Sequence, residues 1–318
     1  MTMKQVTRTA LRVVDPLMFG AAPYGVTSTA NSLAAITREH VAHHHRTWWR
    51  PDNATLVLTG AIDARAGFEL AERLFGGWQQ PSTPLPQIAA SVAVDSARAV
   101  VIDVPNSGQA AVLALQPAIA RGAPDYAALS VAGSMLGGAA GRLYNEIRVK
   151  RGLSYGAGTL FDARRGSGLW MSVAQTKNPS AAEVAQLMLT EIDRLAHDPV
   201  TPEQVSKRVT ILTGAFGRET ETTAELAQWL AQLQLRGVPT SQAGSYASTL
   251  AAVTPTNVRE AVQRAQLDSK RTTLLIVGSA NDFLPQLRQR HRKVVVIPIS
   301  QLDLGQPGLQ QLSAAKGE

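Results

Sequence analysis

Short apolar runs in the second half of the chain predict paired β-strands. Residues 97–105 and 109–116 are rich in apolar and β-branched residues, and turn-forming residues at 106–108 separate them. Residues 157–163 and 168–176 follow the same pattern around a short polar turn. We expect two strands around each turn, the second pair as a hairpin.

Helical periodicity fills the intervals after these strands. Helices are predicted over 125–136 and 141–151, each stopped by glycine, and two capped helix starts follow at Ser180 and Thr201. A last apolar strand lies at 273–278. Strands, then helices, then a strand, without strict alternation, predict an α+β fold with a mainly antiparallel sheet covered by helices.

Two stretches of the chain resemble each other. Residues 33–37 recur at 250–254, and the apolar segment 55–60 recurs at 273–278 with a nearly constant offset. Both copies predict a Thr N-cap, a short amphipathic helix, a turn and a buried strand that ends in Gly. The alternative is coincidence between Ala-rich segments. Order and offset favour a duplicated domain.

The repeat suggests where the domains divide. Residues 79–90 form a Pro-rich linker, and 91–298 form a complete second copy. Residues 1–78 are then the C-terminal part of a truncated first copy whose beginning the chain does not contain. We expect the tail, 299–318, to be flexible.

Composition narrows the class of protein. The chain has 318 residues, 45% hydrophobic and 17% charged, which excludes wholesale disorder, and its lack of Cys excludes disulfides and thiol chemistry. The longest aliphatic run, 294–297, predicts no membrane span. A net charge of +7 is compatible with binding to nucleic acid. However, the basic residues are dispersed along the chain, and aromatic residues make up only 5% of it. We therefore expect no nucleic-acid partner.

A histidine cluster lies on the helix expected after Thr37. His40 and His44 share a helix face and could hold zinc, but no glutamate lies between them to act as a general base. The repeat aligns His44 and His45 with inward-facing positions of the second copy. We expect an amphipathic helix with His40 and His43 in solvent, and no metal.

The glycine and serine residues of the chain do not form the motifs of a P-loop or of a serine hydrolase. Gly137, Gly138 and Gly141 precede a helix, but no P-loop lysine and serine or threonine follow them. No Gly-x-Ser-x-Gly elbow exists. These glycines are explained more simply as turns that flank helices.

One Arg and one Tyr stand out near the end of the 141–151 helix. Arg148 lies in the last helical turn and Tyr155 at the start of the next strand, so both can project from the same edge. The simpler alternative is an arginine that complements the helix dipole and a tyrosine that packs. Lys150 and Arg151 compete with Arg148 for any basic role.

The stretch from 136 to 155 resembles the second-half signature of the insulinase/pitrilysin family of zinc metallopeptidases, the inverzincins. Other segments resemble the family in the same order: 19–25, 50–54 followed by 56–60, 75–78, and 201–203. Order and spacing together carry the resemblance, which covers nearly the whole chain. The family's two-copy architecture, each copy a helix-covered antiparallel sheet, agrees with the internal repeat.

The resemblance implies a role for the pair. In this family the first domain holds the zinc motif H-x-x-E-H, and the second lends an Arg and a Tyr, seven residues apart, that bind substrate and stabilise the oxyanion. Arg148 and Tyr155 have that separation. The sequence contains no H-x-x-E-H, and its six histidines cannot assemble one. The resemblance implies no complete catalytic set and no cofactor here; zinc is expected in a partner or in a missing N-terminal segment.

The expected function follows from this resemblance. We expect a non-zinc-binding subunit or fragment of an insulinase-like metallopeptidase, inactive alone, whose partners are a zinc-bearing H-x-x-E-H subunit and a peptide substrate. The alternative is a non-enzymatic structural or peptide-binding protein with the same fold. Residues 293–304 resemble the tails of bacterial periplasmic members, which implies a periplasmic location, although no signal peptide is visible.

Overall fold

The computed structural model describes residues 3–94, 97–138, 140–291 and 293–311. Within these ranges the α-helices are α1 (Met3–Phe19), α2 (Ala30–Ala34), α3 (Arg38–Trp48), α4 (Ala64–Phe75), α5 (Tyr126–Leu136), α6 (Ala181–His197), α7 (Pro202–Glu219), α8 (Thr223–Leu235), α9 (Gln242–Ala251), α10 (Pro255–Arg264) and α11 (Leu284–Arg290). The strands are β1 (Ala99–Asp103), β2 (Ala110–Ala118), β3 (Ser154–Ala163), β4 (Gly168–Thr176), β5 (Thr273–Gly278) and β6 (Val294–Pro298). No helix in the described part of the chain is long and apolar enough to cross a membrane.

All six strands join one sheet in the order β3-β4-β2-β5-β1-β6. The pairs β2–β4, β2–β5 and β3–β4 are antiparallel, and β1 pairs in parallel with β5 and β6. The predicted α+β class with a mainly antiparallel sheet is confirmed.

The two predicted strand pairs have different outcomes. The hairpin of β3 and β4 forms as expected, around a turn at 164–167. β1 and β2 flank the turn at 106–108, but they are not neighbours, because β5 lies between them. Every residue of β5 is buried, and a strand that is apolar on both faces gains most when it lies in the centre of a sheet.

Helices cover both faces of the sheet. Along β1, Val101 faces the cluster formed with α5, α6 and α10, whereas the next residue, Ile102, faces the cluster formed with α1. Val112 and Leu113 of β2 divide in the same way. This is the two-residue period of a strand buried on both sides. The sheet is therefore the middle layer of three.

α1 is tied to the sheet by polar contacts as well as by its apolar face. Arg164, in the β3–β4 turn, donates to Asp15 of α1 at 2.8 Å and to Asp162 at 2.7 Å. Its guanidinium also lies 5.1 Å from the ring centroids of Phe19 and Tyr24. α1 belongs to the segment that the sequence assigns to the first copy, yet it packs on this sheet. The division at 79–90 stays a prediction.

The two copies of the internal repeat share their capped helices but not their strands. Thr37 and Thr254 both form capping boxes, and each opens the predicted helix, α3 or α10. The segment 273–278 is β5, but 55–60 is extended chain with no strand assignment. The expectation of a buried strand at 55–60 is wrong for this structure. No strand of the described residues pairs with it, and Leu56 and Leu58 are exposed.

The C-terminal tail is packed over most of its described length. Residues 299–301 form a short 3₁₀ helix, Leu302 bridges Gln310, and Leu309 is buried against the α1 side of the sheet. The expectation of a flexible tail is therefore wrong for 299–311, because an apolar anchor fixes it. The remaining tail, 312–318, lies outside the described residues.

Candidate functional site

Arg148 lies on a π-helix rather than on the expected regular helix. The segment Tyr144–Val149 is π-helical, and the Lys150 N–H donates to the Asn145 carbonyl, five residues back, at 2.9 Å. Gly152 then takes a positive φ of 63° and turns the chain toward β3. Single π-turns are rare and frequently occur at functional sites, so the irregularity marks this segment.

Two buried anchors hold the π-helix in place. Leu143 and Ile147 are fully buried in the core shared with α5 and α6. The Leu153 N–H donates to the Ile147 carbonyl at 2.9 Å, which brings the start of β3 against the helix end. These buried residues form the inner face of the segment and leave Arg148 on the outer side.

Tyr155 lies on a β-bulge at the start of β3, the edge strand. The pairing of β3 with β4 shifts register between Ser154 and Ala157. The Ser154 hydroxyl donates to the Gly156 carbonyl at 2.6 Å, a local contact that closes the bulge. Tyr155 is 85% exposed. Bulges redirect side chains beside active sites, and here the bulge presents a phenol to solvent.

A direct hydrogen bond brings the two residues together. Arg148 Nη1 donates to the Tyr155 carbonyl at 2.7 Å, and the Arg148 guanidinium lies 5.1 Å from the Tyr144 ring centroid. Among the described residues, no ion pair and no second hydrogen bond uses the Arg148 side chain. Its other N–H groups can therefore donate to a ligand.

The neighbouring basic residues are occupied. Glu146 accepts a hydrogen bond from Lys150 and one from Arg151, the latter at 2.6 Å. These two cations hold the pKa of the Glu146 carboxyl below its usual range. The carboxylate therefore stays with Lys150 and Arg151 and leaves Arg148 unneutralised. Of the three basic residues, Arg148 is the one arranged to meet an anion.

The pair can stabilise negative charge on a ligand oxygen. A guanidinium with free N–H groups and an exposed phenol, fixed on neighbouring elements, are both donors. Sequence reasoning identified both residues but missed the π-helix and the bulge. The pair of Glu146 and Arg151 has the five-residue spacing of a π-turn, whereas the pair of Glu146 and Lys150 also fits a regular α-helix, so the sequence signal for the π-helix was weak.

The glycines before this segment serve close packing. A Cβ on Gly137 would lie 2.1 Å from the Thr159 backbone nitrogen, and one on Gly141 would lie 2.2 Å from the Gly137 carbonyl oxygen. Gly138 has a φ of 73°. The contact of the α5 end with β3 thus requires Gly137, the contact with the Gly137 carbonyl requires Gly141, and the positive φ favours glycine at 138.

The histidines of α3 have local roles. His40 Nδ1 accepts from the Thr37 N–H at 3.3 Å within the capping box, and the His45 ring stacks on Trp49 with 6.1 Å between centroids. His44 and His45 are exposed, so the expectation that they face inward is wrong. α3 lies away from the sheet, and none of its residues is buried. In the described ranges, no three potential metal-ligating side chains come together.

Comparison with known proteins gives two sequence matches. The model of the family described as "Peptidase M16 inactive domain" matches residues 35–212. An uncharacterized zinc protease of Streptomyces coelicolor is 26% identical over 275 residues, which cover 83% of this chain and 59% of that protein. The chain thus spans about three-fifths of the length of this curated relative.

Solved structures show the same fold. A peptidase M16 inactive domain from Pseudomonas fluorescens has a TM-score of 0.78 at 22% identity, over 87% of this chain and 66% of that one. A protease from Helicobacter pylori has a TM-score of 0.72 at 16% identity, over 79% and 61%. The periplasmic protease PqqL from Escherichia coli has a TM-score of 0.71 at 14% identity, over 86% and 31%.

Proposed function

This chain belongs to the peptidase M16 inactive domain family, and from that premise we propose that it is the non-zinc-binding part of a metallopeptidase. It binds a peptide and stabilises the oxyanion of hydrolysis through Arg148 and Tyr155. The family membership confirms the expected insulinase/pitrilysin relationship. The hydrogen bond between Arg148 and the Tyr155 carbonyl is the observation that carries the proposal.

The geometry suits a developing negative charge. Nη1 of Arg148 is used to hold the strand start, so the guanidinium is oriented before a substrate arrives. Tyr155, whose carbonyl Arg148 holds, adds an exposed phenol that can donate a neutral hydrogen bond. Donors fixed in advance stabilise a tetrahedral oxyanion more than a planar carbonyl, because they are placed for the charge that develops during reaction.

The residues of this chain do not fit a zinc ion. The sequence has no H-x-x-E-H, and the described residues contain no group of three metal-ligating side chains. We therefore assign no catalytic step to a metal on this chain. The zinc-bearing component is proposed to be a homologous partner with H-x-x-E-H, and the substrate a peptide enclosed between the two.

Reconstitution with an H-x-x-E-H homologue tests this role. Peptide cleavage is expected in the mixture and in neither component alone. Arg148→Ala and Tyr155→Phe are each expected to lower kcat/KM by about 10²-fold, the range for loss of one oxyanion donor. Cleavage of a fluorogenic peptide under kcat/KM conditions gives the measurement.

Lys150→Ala is the matched control. Lys150 is exposed and lies two residues from Arg148, but it contacts Glu146, which keeps Arg151 after the change. Its kcat/KM should stay within about twofold of the parent. If Arg148→Ala cleaves as fast as the parent, the oxyanion role is wrong and the non-enzymatic alternative becomes the better one.

A further inference from the structure

A groove of about 420 Å³ opens among α5, α7, α8 and α9, away from Arg148 and Tyr155. Arg121, from the loop between β2 and α5, lines it together with the rings of Tyr126, Trp229 and Tyr246. The proposed peptidase role makes no use of this groove.

Arg121 is a buried cation without a polar partner. It is only 5% exposed, and no hydrogen bond or ion pair in the described part of the chain uses its guanidinium. The group lies 3.8 Å from the ring centroid of Tyr126 and 5.5 Å from that of Tyr246. The rings hold the charge by cation–π attraction, and the N–H groups of the guanidinium remain open to the groove that Arg121 lines.

Donors that open into a groove with aromatic walls can bind an acceptor on a ligand. A guanidinium offers two parallel N–H groups that match the two oxygens of a carboxylate, and such pairs are strong when water is excluded. The aromatic walls can contact the apolar part of the same ligand. We propose that this groove binds a carboxylate group of a peptide through Arg121.

The rim of the groove carries charged groups of both signs. Glu219 is exposed on this rim, and no hydrogen bond or ion pair in the described ranges uses its carboxylate. Glu225 also lines the groove, but its Oε2 accepts from the Thr222 hydroxyl at 2.8 Å. Glu219 disfavours additional negative charge near Arg121. Arg236 also lines the groove and offsets part of this charge, so the proposal specifies a ligand carboxylate at Arg121 and sets no limit on the charge of the rest of the peptide.

A second groove connects this site with the strand of the proposed oxyanion pair. It measures about 400 Å³, shares Tyr126, Glu219 and Tyr246 with the first, and extends to 159–161 of β3. β3 carries Tyr155 at its start. The inference therefore rests on the proposed peptide-binding role, which it deepens by naming a subsite. Its test needs neither a zinc-bearing partner nor cleavage, so the two can fail separately.

The probes are three short peptides titrated into the full chain by calorimetry. Acetyl-Phe-Gly has a free C-terminal carboxylate, its amide has none, and acetyl-Phe-Glu amide carries one on a side chain only. The free acid is expected to bind at least about tenfold more tightly than its amide. The third peptide identifies the source. Affinity near that of the free acid shows that the groove accepts a carboxylate from a side chain as well as from a C-terminus, and affinity near that of the amide shows that it accepts a C-terminus only.

Arg121→Gln removes the charge and should reduce binding of the free acid to that of the amide. Arg218→Gln is the matched control, because Arg218 is an exposed arginine of α7 that does not line the groove. It should leave affinity unchanged within about twofold. Equal affinity of the acid and the amide for the unaltered chain would overturn the proposal.

Exposed rim variants provide a test that does not depend on folding of the Arg121 variant. Gln228 lines the groove and is exposed on α8, so charge changes there are tolerated. Gln228→Glu should weaken binding of the free acid several-fold and Gln228→Lys should strengthen it. The same changes at Gln234, an exposed α8 residue outside the groove, should do neither. If the changes at Gln234 had the same effects as those at Gln228, the overall charge of the protein would explain both, and the proposed binding site would be contradicted.

Discussion

Single residues have the largest effect on packing where two backbone segments are in direct contact. Gly137 ends α5 directly against Thr159 of β3, at a distance that leaves no room for a side chain. Gly156, in the bulge beside Tyr155, has open space around its Cα instead. The first glycine is required by packing, whereas the second has no such requirement.

Gly137→Ala is expected to lower the free energy of unfolding by about 1–3 kcal/mol, because a Cβ 2.1 Å from the Thr159 nitrogen must displace β3 or the end of α5. Urea unfolding followed by circular dichroism gives the measurement. Gly156→Ala should change the free energy of unfolding by less than about 0.5 kcal/mol. Equal effects of the two variants would contradict the packing explanation.

The sequence identified the two candidate residues but not the local structure that holds them. Arg148 and Tyr155 were found from the family resemblance and their spacing, and the structure joins them by a hydrogen bond. The π-helix and the bulge that present them were not foreseen. Both depend on how Ile147 and Leu153 fit the core, which local periodicity does not encode. Arg121 was missed because the groove that it lines is completed by Trp229 and Tyr246, more than 100 residues further along the chain.

At the scale of elements, α5 and α10 are joined at their ends by one ion pair. Arg264, in the last turn of α10, donates to both oxygens of Asp125, the residue before α5, at 2.7 and 2.8 Å. The hydrogen bonds from Arg264 hold the pKa of the Asp125 carboxyl below its usual range. The folded state therefore favours the charged form, and the pair supports folding only while Asp125 is ionised.

Asp125→Asn is expected to lower the urea midpoint at neutral pH, and the difference from the parent should shrink in acid. The pKa of Asp125 is lower in the folded than in the unfolded chain. The stabilisation by the ion pair is therefore complete above the pKa of the unfolded chain, about 3.9, and is lost as the pH falls through the pKa of the folded chain. Midpoints of both proteins from pH 7 to pH 2.5 test this. Glu260→Gln, which removes a single weaker contact to Arg264, should have a smaller effect. A difference that stays constant down to pH 2.5 would contradict the assignment.

Elements with local signals were predicted well, and the pairing of strands was not. The Thr caps of α3 and α10 use contacts within four residues, so the sequence alone specifies them. The position of β5 between β1 and β2 depends on residues far apart in the chain. Burial of a strand that is apolar on both faces determined that arrangement, and a turn motif carries no information about it.

At the scale of the whole molecule, the two ends of the chain cover one face of the sheet. α1 packs there with the described part of the C-terminal tail, and both belong to a single apolar cluster. Residues 26–92 contrast with this arrangement. Several of their large apolar side chains are uncovered, including Trp49 at 69% and Phe68 at 77% exposure. An exposed face of this kind is typical of an interaction surface.

Leu17→Ala is expected to lower the free energy of unfolding by about 2–4 kcal/mol, because it leaves a cavity between α1 and the sheet. Leu17 is 3% exposed. Leu11, on the same helix, is 49% exposed, and Leu11→Ala should cost less than about 1 kcal/mol. Denaturant unfolding of both variants measures the difference. A small effect at Leu17 would show that α1 is not part of the cooperative fold.

The π-helix at Tyr144–Val149 makes this segment sensitive to the number of its residues as well as to their identity. Because the wide turn holds one residue more than an α-turn, loss of one residue would convert it towards an ordinary α-turn and change the direction in which the side chains of the segment leave the helix. Arg148 would then leave the side of the chain that faces Tyr155, even with every remaining side chain unchanged. A deletion in this turn is therefore expected to displace Arg148 more than an exchange of an exposed residue such as Val149. The length of the turn, as well as its side chains, determines where the guanidinium lies.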